Sequence, residues 1–172
     1  GETLKKEEYT SYELALDNRD ALNGDAYKNA EDYYKFVFEK AGGSIAFYPD
    51  KSGAVPTAEM YHREVSEISV QSVKDFCKKN GITENVFFIA AFGLTLGKYN
   101  FKENAVFTTI YHGRNDSRLS DTVGMLVKTL PVYCDFSGQT QEYLAGVRQQ
   151  LMDSMNNDIY PFSQISREFN IK

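Results

Sequence analysis

The stretch Thr83–Tyr99 leaves a fold little choice. Behind Thr83, a natural helix cap, come Val86, Phe87, Phe88, Ile89, Ala90, Ala91, Phe92, Leu94 and Leu96, apolar on every side of a helix. The apolar run near Val86–Leu96 is shorter than the about 20 residues that a membrane helix needs. A helix without a polar face belongs at the centre of a fold, so the rest of the chain must surround it. Gly93 and Gly97 stand one helical turn apart, a spacing that predicts close helix packing.

The flanking sequence supplies candidate neighbours. Residues from Glu7 to about Ala41 read as helix, with Tyr9, Tyr12 and Leu16, then Ala30, Tyr33, Tyr34, Val37 and Phe38, at helical spacing. Asn23-Gly24-Asp25 divides this stretch in two, and Gly42-Gly43 ends it. Pro49–Pro56 has the composition of a loop. Met60–Ile68 alternates like a strand. Ser69 caps a helix that ends at Asn80-Gly81. Ala105–Tyr111 is rich in β-formers. Met125–Phe136 is a second strand, in which Pro131 marks a bulge or an edge. Gln139 or Thr140 opens a helix to about Met155, and Asp158-Ile159-Tyr160-Pro161-Phe162 turns into a last short one. Strands and helices alternate, which predicts an α/β fold with helices packed on a sheet. The 172 residues are enough for one domain spanning 1–172.

Composition narrows the partners. A net charge of -5 and a pI near 5.1 argue against nucleic acid, whose phosphates need a concentrated excess of Lys and Arg. Gly1–Glu7 lacks the apolar segment of a signal peptide, and no apolar run is long enough for a membrane. Cys77 and Cys134 lie far apart and read as reduced, buried packing residues of a cytoplasmic protein. No phosphate loop or metal-ligand spacing occurs.

Four segments, in order, resemble the condensation domains of nonribosomal peptide synthetases. Val123-Gly124-Met125-Leu126-Val127-Lys128-Thr129-Leu130-Pro131 is similar to their Val-Gly-x-Phe-Val-Asn-Thr-Leu-Pro signature, preceded by Gly113-Arg114. Thr83–Tyr99 running into Val106–Gly113 resembles the family's helix, strand and Gly-Arg loop. Asn157-Asp158-Ile159-Tyr160-Pro161-Phe162 is similar to a His/Asn-Gln-Asp-x-Pro-Phe motif. Tyr9-Thr10-Ser11-Tyr12, followed by Tyr33-Tyr34-Lys35, stands where the family has Tyr-x-Asp-Tyr and Tyr-Trp-Lys/Arg. Lys128 replaces the signature's Asn, and Ser11 replaces an Asp.

The resemblance implies a two-layer α/β sandwich of the chloramphenicol-acetyltransferase-like type, with a mixed sheet and packed helices. It implies amide-bond formation between acyl and aminoacyl thioesters on the phosphopantetheine arms of donor and acceptor carrier proteins, with no cofactor bound directly. The family's His-His-x-x-x-Asp-Gly is not in this sequence. The chain is therefore expected to be a partial C-terminal lobe that packs on an N-terminal lobe bearing that motif and continues into further strands. Arg114, Gly124, Val127, Lys128 and Thr129 are the implied wall of the tunnel between lobes. Gly113, Val123, Leu130, Pro131, Asp158, Tyr160, Pro161 and Phe162 are implied to be structural. Arg114 either lies along the tunnel, where it would pair with a carboxylate or order the loop, or makes a structural salt bridge within this lobe.

Two alternatives remain at this stage. His112-Gly113-Arg114-Asn115-Asp116 matches the His-x-x-x-Asp spacing of related acyltransferases, which would make His112 a general base of a small acyltransferase. Against it, Tyr111 precedes His112, Ser117 follows Asp116, and the segment stands where the family has its Gly-Arg connection, so the residues read first as the polar end of a strand. His62 reads as a sheet or surface residue. Ser117 lacks a Gly-x-Ser-x-Gly elbow. The other alternative is a carrier-protein docking module without chemistry. A lobe separated from its partner would expose apolar area and strand edges, so a homodimer is expected.

Overall fold

The structure, a computed structural model, describes residues 6–42 and 59–169. The N-terminal helical stretch forms α1 (Ser11–Ala21) and α2 (Asp25–Ala41), divided at the expected Gly24. Helix α1 starts later than Glu7 because Thr10 and Glu13 form a capping box: Thr10 donates its backbone N–H to Glu13 Oε2 at 2.7 Å, and Glu13 N–H donates to Thr10 Oγ1. Left-handed Gly42 ends α2 with φ 67°. The predicted loop Pro49–Pro56 lies outside the described residues.

Helix α3 (Val70–Asn80) starts on Ser69, whose Oγ accepts from Ser72 N–H at 3.1 Å. Helix α4 (Glu84–Tyr99) starts on Thr83, whose Oγ1 accepts from Val86 N–H at 3.2 Å. Strand β1 (Asn104–Tyr111) and strand β2 (Lys128–Asp135) follow, with a 3-10 turn at Ser117–Leu119 between them. Helices α5 (Thr140–Asn156) and α6 (Phe162–Glu168) close the chain.

β1 and β2 form an antiparallel pair with unbroken register from Asn104↔Asp135 to Tyr111↔Lys128. Pro131 sits opposite Thr108 without a bulge, and its carbonyl accepts from Ser154 Oγ of α5 at 2.8 Å. Among the described residues the sheet is this antiparallel ribbon. Helices cover both of its faces. Ala105, Val132 and Cys134 pack with α4 and α5, while Val106 and Tyr133 pack with α2 and with Tyr160 and Ile165.

Three expectations change. Met60–Ile68 is not a strand: residues 59–66 have no regular structure, and Met60 and Tyr61 are 83% and 85% exposed. No described strand lies beside it, and an alternating segment alone does not hold an extended form in water. Helix α4 is not buried all round. Val86, Ile89, Ala90, Gly93, Leu96 and Gly97 face the core, but Phe88 and Phe92 remain 60% and 50% exposed. The described residues fill the sides toward the sheet, α5 and α3, where Phe76 meets Phe87 edge-on at 5.6 Å. The Gly93/Gly97 pair packs α4 mainly onto β2 and its exit rather than onto a helix. A Cβ at Gly93 would meet Cys134 Sγ at 2.6 Å, and one at Gly97 would meet the Phe136 ring at 2.2 Å. Cys77 and Cys134 are buried free thiols, as expected.

Candidate functional site

The connection from β1 to β2 is held by its own backbone. Gly113 has φ +70°, and a Cβ there would lie 1.9 Å from the Leu126 carbonyl oxygen, so only glycine fits. Arg114 donates from Nη1 to the carbonyls of Leu119 and Thr122, the latter at 3.1 Å. Its guanidinium thus orders the loop through carbonyls and, among the described residues, not through the expected salt bridge to a carboxylate. His112 accepts the Arg114 backbone N–H on Nδ1 at 3.0 Å. Asp116 accepts from Arg118 Nη2 at 2.7 Å and from Arg118 backbone N–H at 2.9 Å, which caps the 3-10 turn. Each member of the His-x-x-x-Asp pair is therefore engaged with a different group.

The N-terminal aromatic segment docks on this loop. Tyr9 OH donates to Asp17 Oδ2 at 2.6 Å, and the Arg118 guanidinium lies 4.4 Å from the Tyr9 ring centroid and 3.1 Å from Asp17. The Tyr9 hydrogen bond, with Arg118 behind it, holds the Asp17 carboxyl below its ordinary range. Thr122 Oγ1 donates to the Tyr9 carbonyl at 2.5 Å, and Val123 N–H donates to Glu7 Oε1 at 2.8 Å. A Cβ at Gly124 would come within 3.1 Å of Ser11 Cβ, so Gly124 permits a close approach. Ser11, small where the family motif has Asp, is the other half of that contact.

The signature segment leaves this loop with Val123, Met125 and Val127 turned outward, 77%, 89% and 51% exposed, and Leu126 and Leu130 turned inward. Its next residue, Lys128, reaches the Asn157–Phe162 segment. Lys128 Nζ pairs with Asp158 Oδ1 at 2.9 Å and donates to the Asp158 carbonyl at 3.2 Å. Val127, Lys128, Thr129 and Leu130 form one wall of a groove of ≈ 340 Å³, and Asp158 to Phe162 form the other, with Asn18 and Leu22 of the α1 region closing it. A second cavity of ≈ 400 Å³, lined by Gly113, Asp116 and Arg118, shares Lys128 and Asp158.

Behind the groove, Tyr160 stacks among aromatics. Its ring meets Tyr27 edge-on at 5.0 Å and lies 6.3 Å from Tyr34, and its hydroxyl donates to Glu168 at 2.9 Å. Pro161 starts α6 and accepts Gln164 N–H at 2.9 Å. Sequence reasoning did not find Ser154. It is fully buried, shares a 3.0 Å hydrogen bond with Tyr33 OH, and accepts Tyr34 OH on its carbonyl at 3.2 Å. A serine inside an otherwise apolar helical face was the available signal. Among the described residues no group of His, Cys, Asp and Glu could hold a metal ion, and no helix is long and apolar enough to cross a membrane.

These motif segments meet in space: the first docks on the Gly113–Gly124 loop, and the signature binds Asp158. The profile of the family described as condensation domain matches residues 1–172. The chain belongs to the condensation domain family. Over 104 residues this condensation domain is 28% identical to bacitracin synthase 1 of Bacillus licheniformis, a match covering 59% of the chain and 2% of the synthase. Over 156 residues it is 26% identical to bacitracin synthase 2 of the same organism, covering 86% of the chain and 6% of the synthase. Among solved structures it superposes on the SgcC5 protein of Streptomyces globisporus with TM-score 0.78 and 21% identity, over 99% of the chain and 39% of that protein. The first condensation domain of the calcium-dependent antibiotic synthetase gives TM-score 0.75 at 12% identity, over 98% of the chain and 38% of that structure. At these identities what is shared with the structures is the fold, the chloramphenicol-acetyltransferase-like α/β architecture. The chain spans a small part of the synthases and about two-fifths of either solved structure.

Proposed function

We propose that this chain is the C-terminal lobe of an amide-forming condensation domain in a nonribosomal peptide synthetase. In this reading the Lys128–Asp158 groove and the Gly113–Thr129 segment line the tunnel on the acceptor side. The observation that carries it is the 2.9 Å Lys128–Asp158 pair, which joins two family motifs across an open groove beside an exposed signature segment. The partners are an N-terminal lobe and the donor and acceptor carrier proteins, whose phosphopantetheine arms enter the tunnel. The free, buried Cys77 and Cys134 suit the cytoplasm.

The acceptor amine attacks the donor thioester carbonyl. A C–N bond forms, the C–S bond breaks, and the amine's proton ends on the donor carrier's thiol. Proton handling belongs to the N-terminal lobe's His-His-x-x-x-Asp-Gly. This lobe contributes position: enclosing both arms makes the encounter effectively unimolecular. Arg114 and Gly113 keep the loop on that wall in one conformation. The binding of Asp116 by Arg118 supports a non-catalytic His112.

The test combines this chain with a separately produced N-terminal lobe and loaded donor and acceptor carrier proteins. The expected result is a dipeptidyl thioester on the acceptor carrier only when both lobes are present. Turnover by this chain alone, abolished in His112→Ala, would replace the proposal with the small-acyltransferase reading.

A further inference from the structure

We infer that the groove at Lys128 and Asp158 accepts the uncharged, apolar side chain of the acceptor aminoacyl group, and that this ion pair sets the preference by withholding both charges from that side chain. The inference rests on the tunnel reading above and names a substrate class for it.

Among the residues lining the groove, Lys128 and Asp158 are the charged ones; Leu22, Val127, Ile159 and Phe162 supply its apolar surface. Lys128 spends two N–H groups on Asp158, at 2.9 Å on the carboxylate and 3.2 Å on the carbonyl. The two side chains are only 34% and 22% exposed. Partly withdrawn from water, they are tolerable as a pair, and either one alone would be an uncompensated charge. A ligand carboxylate can reach Lys128 only by taking it from Asp158. A ligand ammonium can reach Asp158 only by displacing Lys128. Each exchange leaves one charge without its partner, which is discrimination by an unpaired group.

The adjoining cavity offers a ligand carboxylate no relief, because Arg118 is itself bound by Asp116 at 2.7 Å and Asp17 at 3.1 Å. An alkyl chain disturbs none of these contacts. A volume of ≈ 340 Å³ falls within the range of small-molecule pockets, about 300–1,000 Å³.

The experiment follows the methyl NMR signals of Leu22, Val127 and Ile159 as the whole chain is titrated with hexanoyl-, succinyl- and 6-aminohexanoyl-pantetheine. Wild type is expected to bind the hexanoyl thioester about tenfold tighter than either charged one. Asp158→Asn frees Lys128 and should tighten the succinyl thioester about tenfold, leaving the aminohexanoyl one weak. Lys128→Met should do the reverse. A reciprocal switch of this kind cannot come from a general loss of folding. If either variant does not fold, the wild-type ranking decides. Equal binding of all three thioesters overturns the inference and leaves the tunnel reading standing. Failure of every thioester to move these methyls in wild type overturns both.

Discussion

The backbone N–H of Lys102 donates to the Gly97 carbonyl at 2.9 Å, and this bond closes α4 with a phenylalanine in the position usually held by glycine. Phe101 lies between them with φ 55°, donates to the Lys98 carbonyl at 3.2 Å, and is 97% exposed. A left-handed non-glycine residue costs roughly 1–2 kcal/mol. Glycine's greater freedom in the unfolded chain returns about half of that. Phe101→Gly loses no packing and should stabilise the chain by about 0.5–1 kcal/mol. Thermal unfolding should shift upward by about 2 °C. A lower melting temperature would mean that the exposed ring makes a stabilising contact.

Gly113 should behave in the opposite way. Its φ is +70°, and a methyl group would strike the Leu126 carbonyl at 1.9 Å. The backbone cannot yield locally, because Arg114 ties the same loop to Leu119 and Thr122. Gly113→Ala should cost about 2 kcal/mol or more, read by urea denaturation. Amide exchange in residues 115–124 should rise in the same variant. Unchanged stability would show that the loop relaxes away from β2.

The helix ends were largely legible because their causes are local. Ser69, Thr83 and Gly81 announce their caps in sequence, and the structure uses all three. Thr10 was missed as a cap because the preceding polar residues are equally compatible with a helix. Met60–Ile68 was misread because alternation reports a strand only when a neighbour completes the ladder. The exposed side of α4 was illegible for a related reason, since apolarity shows what a helix can bury and not what lies beside it. The Lys128–Asp158 pair needed the fold. Lys128 stands where the signature has Asn. Counting back from Pro161-Phe162, Asp158 stands where the motif has Gln. Two neutral amides are exchanged for opposite charges thirty residues apart, which α5 brings together by running back along β2.

Alkaline pH should unfold the chain gradually. Burial pushes the Tyr33 phenol up to about 12 from 10.0 and the Cys134 thiol up to about 12 from 9.0. Both groups hold their protons more tightly folded than unfolded. Their contribution is therefore complete below the unfolded values and is lost as pH climbs from 9 through 12. Each titrating group gives a slope of up to about 1.4 kcal/mol per pH unit. Denaturation midpoints at several pH values above 8 should fall accordingly. Tyr33→Phe removes one group and should make the decline shallower between pH 10 and 12. A midpoint constant to pH 12 would contradict the burial of these side chains.

Self-association is the last expectation, and α4 is where it should occur. Phe88 and Phe92 are 60% and 50% exposed, one turn apart on the same helix. Contiguous apolar surface of this kind favours contact with a second apolar surface. Both strands of the described ribbon also keep an outer edge, which can pair with another strand. The net charge of -5 opposes association, but only within about 8 Å at physiological salt. We propose that the chain alone forms a homodimer through this face. Light scattering over a concentration series should show mass rising above the 19.5 kDa of one copy. Phe88→Glu with Phe92→Glu should hold it near one copy without lowering the helix content, since both side chains are at least half exposed and the packing given up against the sheet is the edge contact of Phe92 with Phe107. Mass that stays at one copy at high concentration would remove the proposal. Mass that rises equally in the double variant would move the contact from α4 to the strand edges.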